Sequence, residues 1–177
     1  MNRMKRKSLI LSILVLTTLS PSITAQKLNF NTLLSFMKSD ISRVEDILQL
    51  SGYEFGHKQE QDSLSNYYSE EWDYKTDSLQ YNILLSASSL TQLVNGVTYF
   101  LYNKNQYLNI LGSLKKYGFV RYGPMTIVEN MITEEFKNMD IHTIMTTDKK
   151  NSYTLYTVDI CFCTVYKNGE KIVNILK

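Results

Sequence analysis

The chain is poor in the residues that support most catalytic and metal-binding chemistry. Its 177 residues include two cysteines, two histidines and one tryptophan. Two cysteines cannot build the disulfide framework of many small secreted domains, so stability must come from packing. The histidines, His57 and His142, belong to no H-E-x-x-H motif, and the chain has no G-x-S-x-G motif and no glycine-rich phosphate loop. We therefore predict no metal and no cofactor, and catalysis is not favoured.

The first 25 residues predict export. A basic segment, Arg3–Lys7, precedes an apolar run, Ser8–Ser20, and Ala25 provides a small residue at which cleavage can occur. This order is typical of a secretory signal peptide. The apolar run of about 13 residues is shorter than the ~20 that a membrane-spanning helix needs. We expect residues 1–25 to be removed and the mature chain, without a transmembrane span, to be periplasmic or secreted.

Removal of that segment would change the sign of the net charge. The whole chain has 19 Lys and Arg against 17 Asp and Glu, which gives a net charge of +2. The segment contains four of the basic residues and no acid, so the mature chain has 15 basic residues against 17 acidic ones, a net charge of −2. Its basic doublets, Lys115-Lys116 and Lys149-Lys150, are not interleaved with stacking aromatics. We predict that nucleic acid is not a partner.

Two amphipathic helices are predicted, and they resemble each other at an offset of 66 residues. Each has apolar residues at helical spacing and is followed by a glycine that suits the end of a helix. The matching positions are Val44 with Ile110, Leu48 with Leu114, Gly52 with Gly118, and Tyr53 with Phe119.

Strand-like segments follow each helix and lead to an Asn-Gly pair, at Asn95-Gly96 and at Asn168-Gly169. Asn-Gly between β-rich runs is a strong signal for a β-hairpin turn. We predict an α+β fold made of a tandem α-β-β-β repeat, with antiparallel sheet and helices packed on one face. The predicted lobes are residues 26–102 and 103–177. The candidate strands are Tyr53–Lys58, Glu71–Lys75, Gln80–Ala87, Val97–Tyr102, Phe119–Val128, Ile141–Thr146, Tyr153–Val165 and Glu170–Leu176.

This order of elements is similar to the tandem helix-plus-sheet architecture of β-lactamase-inhibitor-type proteins and of small outer-membrane assembly lipoproteins. The basic flank and the Ala25-Gln26 junction resemble those of exported proteins of Bacteroidota-type bacteria. The resemblance lies in the order of elements, so it bears on the fold rather than on the function.

Aromatic residues are the most informative candidates for binding. Tyr67, Tyr68, Trp72 and Tyr74 cluster at the end of the polar segment 56–71. Exposed Tyr and Trp are favoured at binding surfaces because they give a large contact area at low entropic cost. Packing in the sheet is the alternative, with Trp72 as a core aromatic beneath the first helix. We take the four residues as the candidate binding site.

The two cysteines, Cys161 and Cys163, are separated by one residue in the predicted strand 153–165. Their side chains would share one face with Cβ atoms about 6–7 Å apart, whereas a disulfide needs roughly 3.8 Å. We expect buried thiols in a central strand; a labile or intermolecular thiol, and a metal or redox pair, are the alternatives. The predicted cross-strand pairs are Lys167 with Glu170, Val165 with Ile172, Thr164 with Val173, Cys163 with Asn174, and Cys161 with Leu176.

The sequence therefore predicts an exported, non-enzymatic binding or envelope-associated protein whose partner is another protein. One alternative is a carbohydrate-binding module around Trp72. Another is a small hydrolase that uses dispersed polar residues, namely Glu71, Asp159 and His142. A deep polar pocket would favour the hydrolase, and a broad exposed aromatic face would favour binding.

Overall fold

A computed structural model describes residues 28–60, 66–75 and 80–162, together with the backbone of residues 164–167 and 170–173. Its helices are α1 (Phe30–Phe36), α2 (Ile41–Leu50) and α3 (Lys104–Lys116). Its strands are β1 (Glu54–Glu60), β2 (Tyr67–Lys75), β3 (Gln80–Ser88), β4 (Val94–Leu101), β5 (Val120–Arg121), β6 (Thr126–Val128), β7 (Met131–Asn138), β8 (Ile141–Lys149), β9 (Thr154–Phe162), β10 (Thr164–Lys167) and β11 (Glu170–Val173).

Strands β1–β9 form one antiparallel sheet in the order β1-β2-β3-β4-β9-β8-β7-β5, with β6 also paired to β7. Strands β10 and β11 form a separate two-stranded sheet. The α+β prediction with antiparallel sheet and packed helices is confirmed. The sheet continues across the boundary between the two predicted lobes, because β4 of the first half pairs with β9 of the second.

The core lies between one face of the sheet and the helices. In β3, Tyr81, Ile83, Leu85 and Ala87 are buried while the residues between them are only partly covered. This alternation is expected when one face of a strand is packed and the other is not. The helices supply the other half of the core, with Val44, Leu48, Ile110 and Leu114 at most 2% exposed.

The predicted correspondence between α2 and α3 is confirmed at their C-terminal ends. Gly52 and Gly118 have φ angles of +85° and +76°, a conformation that L side chains rarely adopt. The next residue, Tyr53 or Phe119, donates its N–H to the carbonyl of Leu48 or Leu114 at 2.9 and 3.0 Å respectively. Each helix therefore ends with the same turn, and the residue that follows the glycine is a buried aromatic residue of the core.

The predicted turn at Asn95-Gly96 is wrong. Both residues lie inside β4, and the register slips here, so that Ser86 pairs with Gly96 and Ala87 pairs with Val94. Asn95 is therefore the extra residue of a β-bulge. The chain reverses earlier, at residues 89–91, where the Ser88 hydroxyl oxygen accepts backbone N–H groups at 3.3 and 3.4 Å.

The predicted register of the last hairpin is confirmed where it is described, since Thr164 pairs with Val173 and Lys167 with Glu170. Strand β9 is central, as predicted, but it ends at Phe162, so residues 153–165 are not one strand. Cys161 pairs with Gly96 on one side and His142 on the other. The predicted pairing of Cys161 with Leu176 is therefore wrong, because strands β4 and β8 occupy both sides of β9 at Cys161. The predicted pair of Cys163 with Asn174 lies outside the described residues.

Candidate functional site

The four predicted aromatic residues do not form an exposed surface. Trp72 and Tyr68 are only 2% and 3% exposed, and they face the helices with the half-buried Tyr74. Trp72 packs edge-on against Phe55, with ring centroids 5.3 Å apart. Tyr67 alone points to the other side of β2. The alternative interpretation, sheet packing with Trp72 in the core beneath a helix, therefore holds for the buried pair.

The side of the sheet opposite the helices forms a broad candidate surface; we call it the open face. Within the described part of the chain, the helices pack on the other side, and the residues of the open face are mostly half-buried or exposed. The pairing register places these residues in straight rows across the strands. The central row consists of Glu71, Leu84, Thr98, Asp159, Ile144 and Glu135.

The rows on either side of the central row differ in size and polarity. Phe100 is the large side chain of one of them, and it is flanked by Asn82 and Thr157. The row on the other side has small residues at its middle. Its members are Ser69, Ser86, Gly96, Cys161, His142 and Lys137. The open face thus combines apolar side chains, hydroxyl groups and charges.

Asp159 is the charged residue at the middle of the central row. Its neighbours across the ladder are Thr98 and Ile144. Burial raises the pKa of the Asp159 carboxyl group above its ordinary value, and a hydrogen bond with the Thr98 side chain partly offsets that increase. The carboxylate is therefore held in an environment that solvates it less well than water does.

His142 and Glu135 form a second polar group on this face, toward β7. The His142 Nε2 atom lies 3.2 Å from a Glu135 Oε2 atom, although the alignment is too poor for a hydrogen bond. The Tyr122 ring meets the imidazole edge-on, with centroids 5.9 Å apart. Cys161, directly opposite His142, is half-buried rather than fully buried. Among the described residues, no group of three His, Cys, Asp or Glu side chains is placed to hold a metal ion.

The residues of the hydrolase alternative are only partly brought together. Asp159 and His142 are diagonal neighbours on adjacent strands. Glu71 lies three strands away from Asp159, about 14 Å at the usual strand spacing. Glu71 instead contacts His57, with 3.1 Å between Nδ1 and Oε2, and lines a polar cavity of about 440 Å³ with Glu54 and others. That cavity contains neither Asp159 nor His142.

Together, the fold and this surface define an α+β protein with helices on one side of an antiparallel sheet and a broad, mixed-polarity face on the other. Comparisons with protein-family models, with curated proteins and with solved structures give no match to the chain. No helix among the described residues has the length and apolar character that crossing a membrane requires.

Proposed function

We propose that the protein is an exported binding protein that recognises another protein through the open face of its sheet. One observation carries the proposal: a face that extends over most of a nine-stranded sheet has half-buried apolar side chains and charges without a described helix packed on it. Large surfaces of this kind on soluble proteins commonly mark interaction sites. Leu84, Phe100 and Ile144 provide apolar contact near its centre, and Glu71 and Glu135 lie toward its sides.

The two alternatives from the sequence have weaker support. The carbohydrate-binding alternative depended on an exposed Trp72, and the burial of that side chain removes the aromatic platform it needs. The hydrolase alternative needs acid and base groups that converge on an enclosed substrate site. Asp159 and His142 are neighbours on a broad sheet face, whereas Glu71 is distant from them. Protein recognition uses the whole arrangement rather than one pair of residues.

Export is part of the proposal and rests on the basic segment and apolar run that precede Gln26. We expect the chain, when it is made with residues 1–25, to be found in the periplasm or the medium with Gln26 as its first residue. Fractionation of cells followed by N-terminal sequencing measures both. A chain that stays in the cytoplasm at full length would contradict the proposal of export.

Site-specific photo-crosslinking in the cell envelope tests the binding proposal. A photoreactive amino acid placed at Thr98 or Thr157 samples the centre of the open face, and the same residue at Asn109 or Lys115 samples the exposed surface of α3. We expect a discrete adduct with another protein from the two sheet positions and none from the helix positions. No adduct, or equal adducts from both surfaces, would overturn the proposal. Circular dichroism of each variant checks that its fold is retained.

A further inference from the structure

Asp159 lies close to the geometric centre of the open face. Its strand, β9, has β4 and three further strands on one side and β8, β7 and β5 on the other. Residues that dominate binding energy cluster near the centre of interfaces, where neighbouring contacts exclude water. A charge at the centre of an interface favours binding when the partner supplies an opposite charge there, and it opposes binding when the partner does not.

No cation of the described part of the chain forms an ion pair with Asp159. The basic groups nearest to it on the face have other contacts: His142 approaches Glu135, and Lys137 lies 5.5 Å from the centroid of the Tyr122 ring. Thr98 supplies a hydrogen bond to the carboxylate. An ionised carboxylate can accept about four hydrogen bonds, so Asp159 retains capacity for further donors.

The open face as a whole carries an excess of negative charge. Its strands present six carboxylates and two lysines on this side of the sheet, and the nearest carboxylate along the central row, Glu135, is about 10 Å from Asp159 at the usual strand spacing. An excess of one sign steers partners of the opposite sign and disfavours partners of the same sign. These charged residues are Glu54, Glu71, Asp73, Glu135, Asp148, Asp159, Lys75 and Lys137.

Apolar side chains flank the carboxylate on both neighbouring strands. Ile144 is directly opposite Asp159 on β8, and Phe100 is its diagonal neighbour on β4, about 7–8 Å away at the usual spacing. A lysine or arginine side chain has an apolar stem and a charged end. Its stem fits beside Ile144 and Phe100, and a guanidinium group can also stack on the phenyl ring.

From these observations we infer that Asp159 is the anchor of the open face and receives a lysine or arginine side chain of a protein partner, whose stem packs against Ile144 and Phe100. The inference rests on the proposed function and adds the chemistry of the partner to it. It places an acceptor for a cation at the centre of the face, so that a basic protein surface binds here and an acidic one does not.

Titration with a small mimic of the arginine side chain tests the inference. The probe is n-butylguanidinium, followed by ¹H–¹⁵N NMR spectra of the exported protein, with n-butanol and butyrate as probes of the same chain length. We expect saturable shifts at the amides of Thr98, Asp159 and Ile144 with the cation only. The affinity should fall at least tenfold in Asp159→Asn. It should not change in Asp148→Asn, which removes a carboxylate of the same face that is already paired with Lys150.

Several results would overturn the inference. These are shifts equal to those caused by n-butanol, shifts centred on the carboxylates near Glu54, and shifts that survive Asp159→Asn. The same amide shifts on concentrating the protein without probe would make a second copy of the chain the occupant, and would also overturn it. An unchanged denaturation midpoint, or a higher one, in Asp159→Asn shows that any loss of binding is not a loss of folding.

The photo-crosslinking experiment separates failure of the inference from failure of the proposed function. An adduct from Thr157 whose yield is unchanged by Asp159→Asn would overturn the cation anchor and leave protein binding by the open face in place. The absence of any adduct from the open face would overturn the proposed function itself. We expect the adduct to form and its yield to fall at least tenfold in Asp159→Asn.

Discussion

Replacement of Trp72 by alanine separates a core role from a binding role for this residue. The side chain is 2% exposed and packs edge-on against Phe55. A buried aromatic side chain removes about 150–250 Å² from water, and at about 25 cal/mol per Å² this corresponds to roughly 4–6 kcal/mol. Such area sums are upper estimates, and Trp or Phe truncations in cores typically cost about 3–5 kcal/mol. We expect Trp72→Ala to lower the free energy of unfolding by about 3–5 kcal/mol.

Urea denaturation followed by far-ultraviolet circular dichroism measures this loss. The matched control is Tyr67→Ala, which removes an aromatic side chain from the same strand on the open face and should cost about 1 kcal/mol or less. Trp72→Phe should fall between the two. The buried indole N–H has no hydrogen-bond partner among the described residues, so its removal leaves no acceptor unpaired.

The single tryptophan also allows a measurement on the unaltered protein. Iodide in solution should quench its fluorescence weakly in the folded state and strongly in urea. The reasoning would be refuted if Trp72→Ala and Tyr67→Ala unfolded at the same urea concentration. It would also be refuted if iodide quenched the folded and unfolded proteins equally.

Three further predictions concern stability. Tyr99→Phe should cost about 1–3 kcal/mol in urea denaturation, because the buried Tyr99 hydroxyl accepts a tyrosine O–H at 3.2 Å and an amide N–H at 3.0 Å, and both donors would lose that partner. Gly52→Ala and Gly118→Ala should each destabilise the protein by about 1–2 kcal/mol, because both glycines have positive φ angles. Gly112→Ala should stabilise the protein by about 0.5–1 kcal/mol, because Gly112 lies within a helix and faces open space. A stability change of the same sign in all three variants would contradict this. Burial raises the pKa of Asp159, so the contribution of this residue to stability is present below its unfolded pKa near 3.8 and is lost as the pH rises through its folded pKa. Asp159→Asn should therefore be more stable than the wild type at pH 7 but not at pH 3. An equal difference in stability at the two pH values would refute this prediction.

Local signals in the sequence predicted the C-terminal ends of the two longer helices and most of the central strands. Gly52 and Gly118 each follow an apolar helical stripe, and that combination is sufficient to place a helix end. The prediction also placed most of β1, as Tyr53–Lys58, although every residue of that strand is exposed. The predicted strand Phe119–Val128 is wrong, because only the short strands β5 and β6 lie there, and β7 was not predicted. Asn95-Gly96 was misread because the same pair suits a bulge, and the turn chemistry lies in Ser88 instead.

The candidate site depends on contacts that are distant in sequence. Asp159 and Thr98 are neighbours only because β4 pairs with β9, which joins the two halves of the chain. No periodicity or turn signal specifies which strands of a sheet become neighbours over such a separation. The burial of Trp72, in contrast, follows from the strand period, since it shares a face with Tyr68, and both residues lie beneath the helices.

The pairing of β4 with β9 also has a consequence for the order in which the chain becomes stable. Until Thr154–Phe162 has been synthesised, the β4 segment Val94–Leu101 has one unpaired edge, and that segment is rich in apolar residues. Such an edge readily pairs with another unfinished chain. If the chain is exported unfolded, as proposed above, β4 and β9 are both present when folding begins, and a partly formed sheet with that edge open does not build up during synthesis.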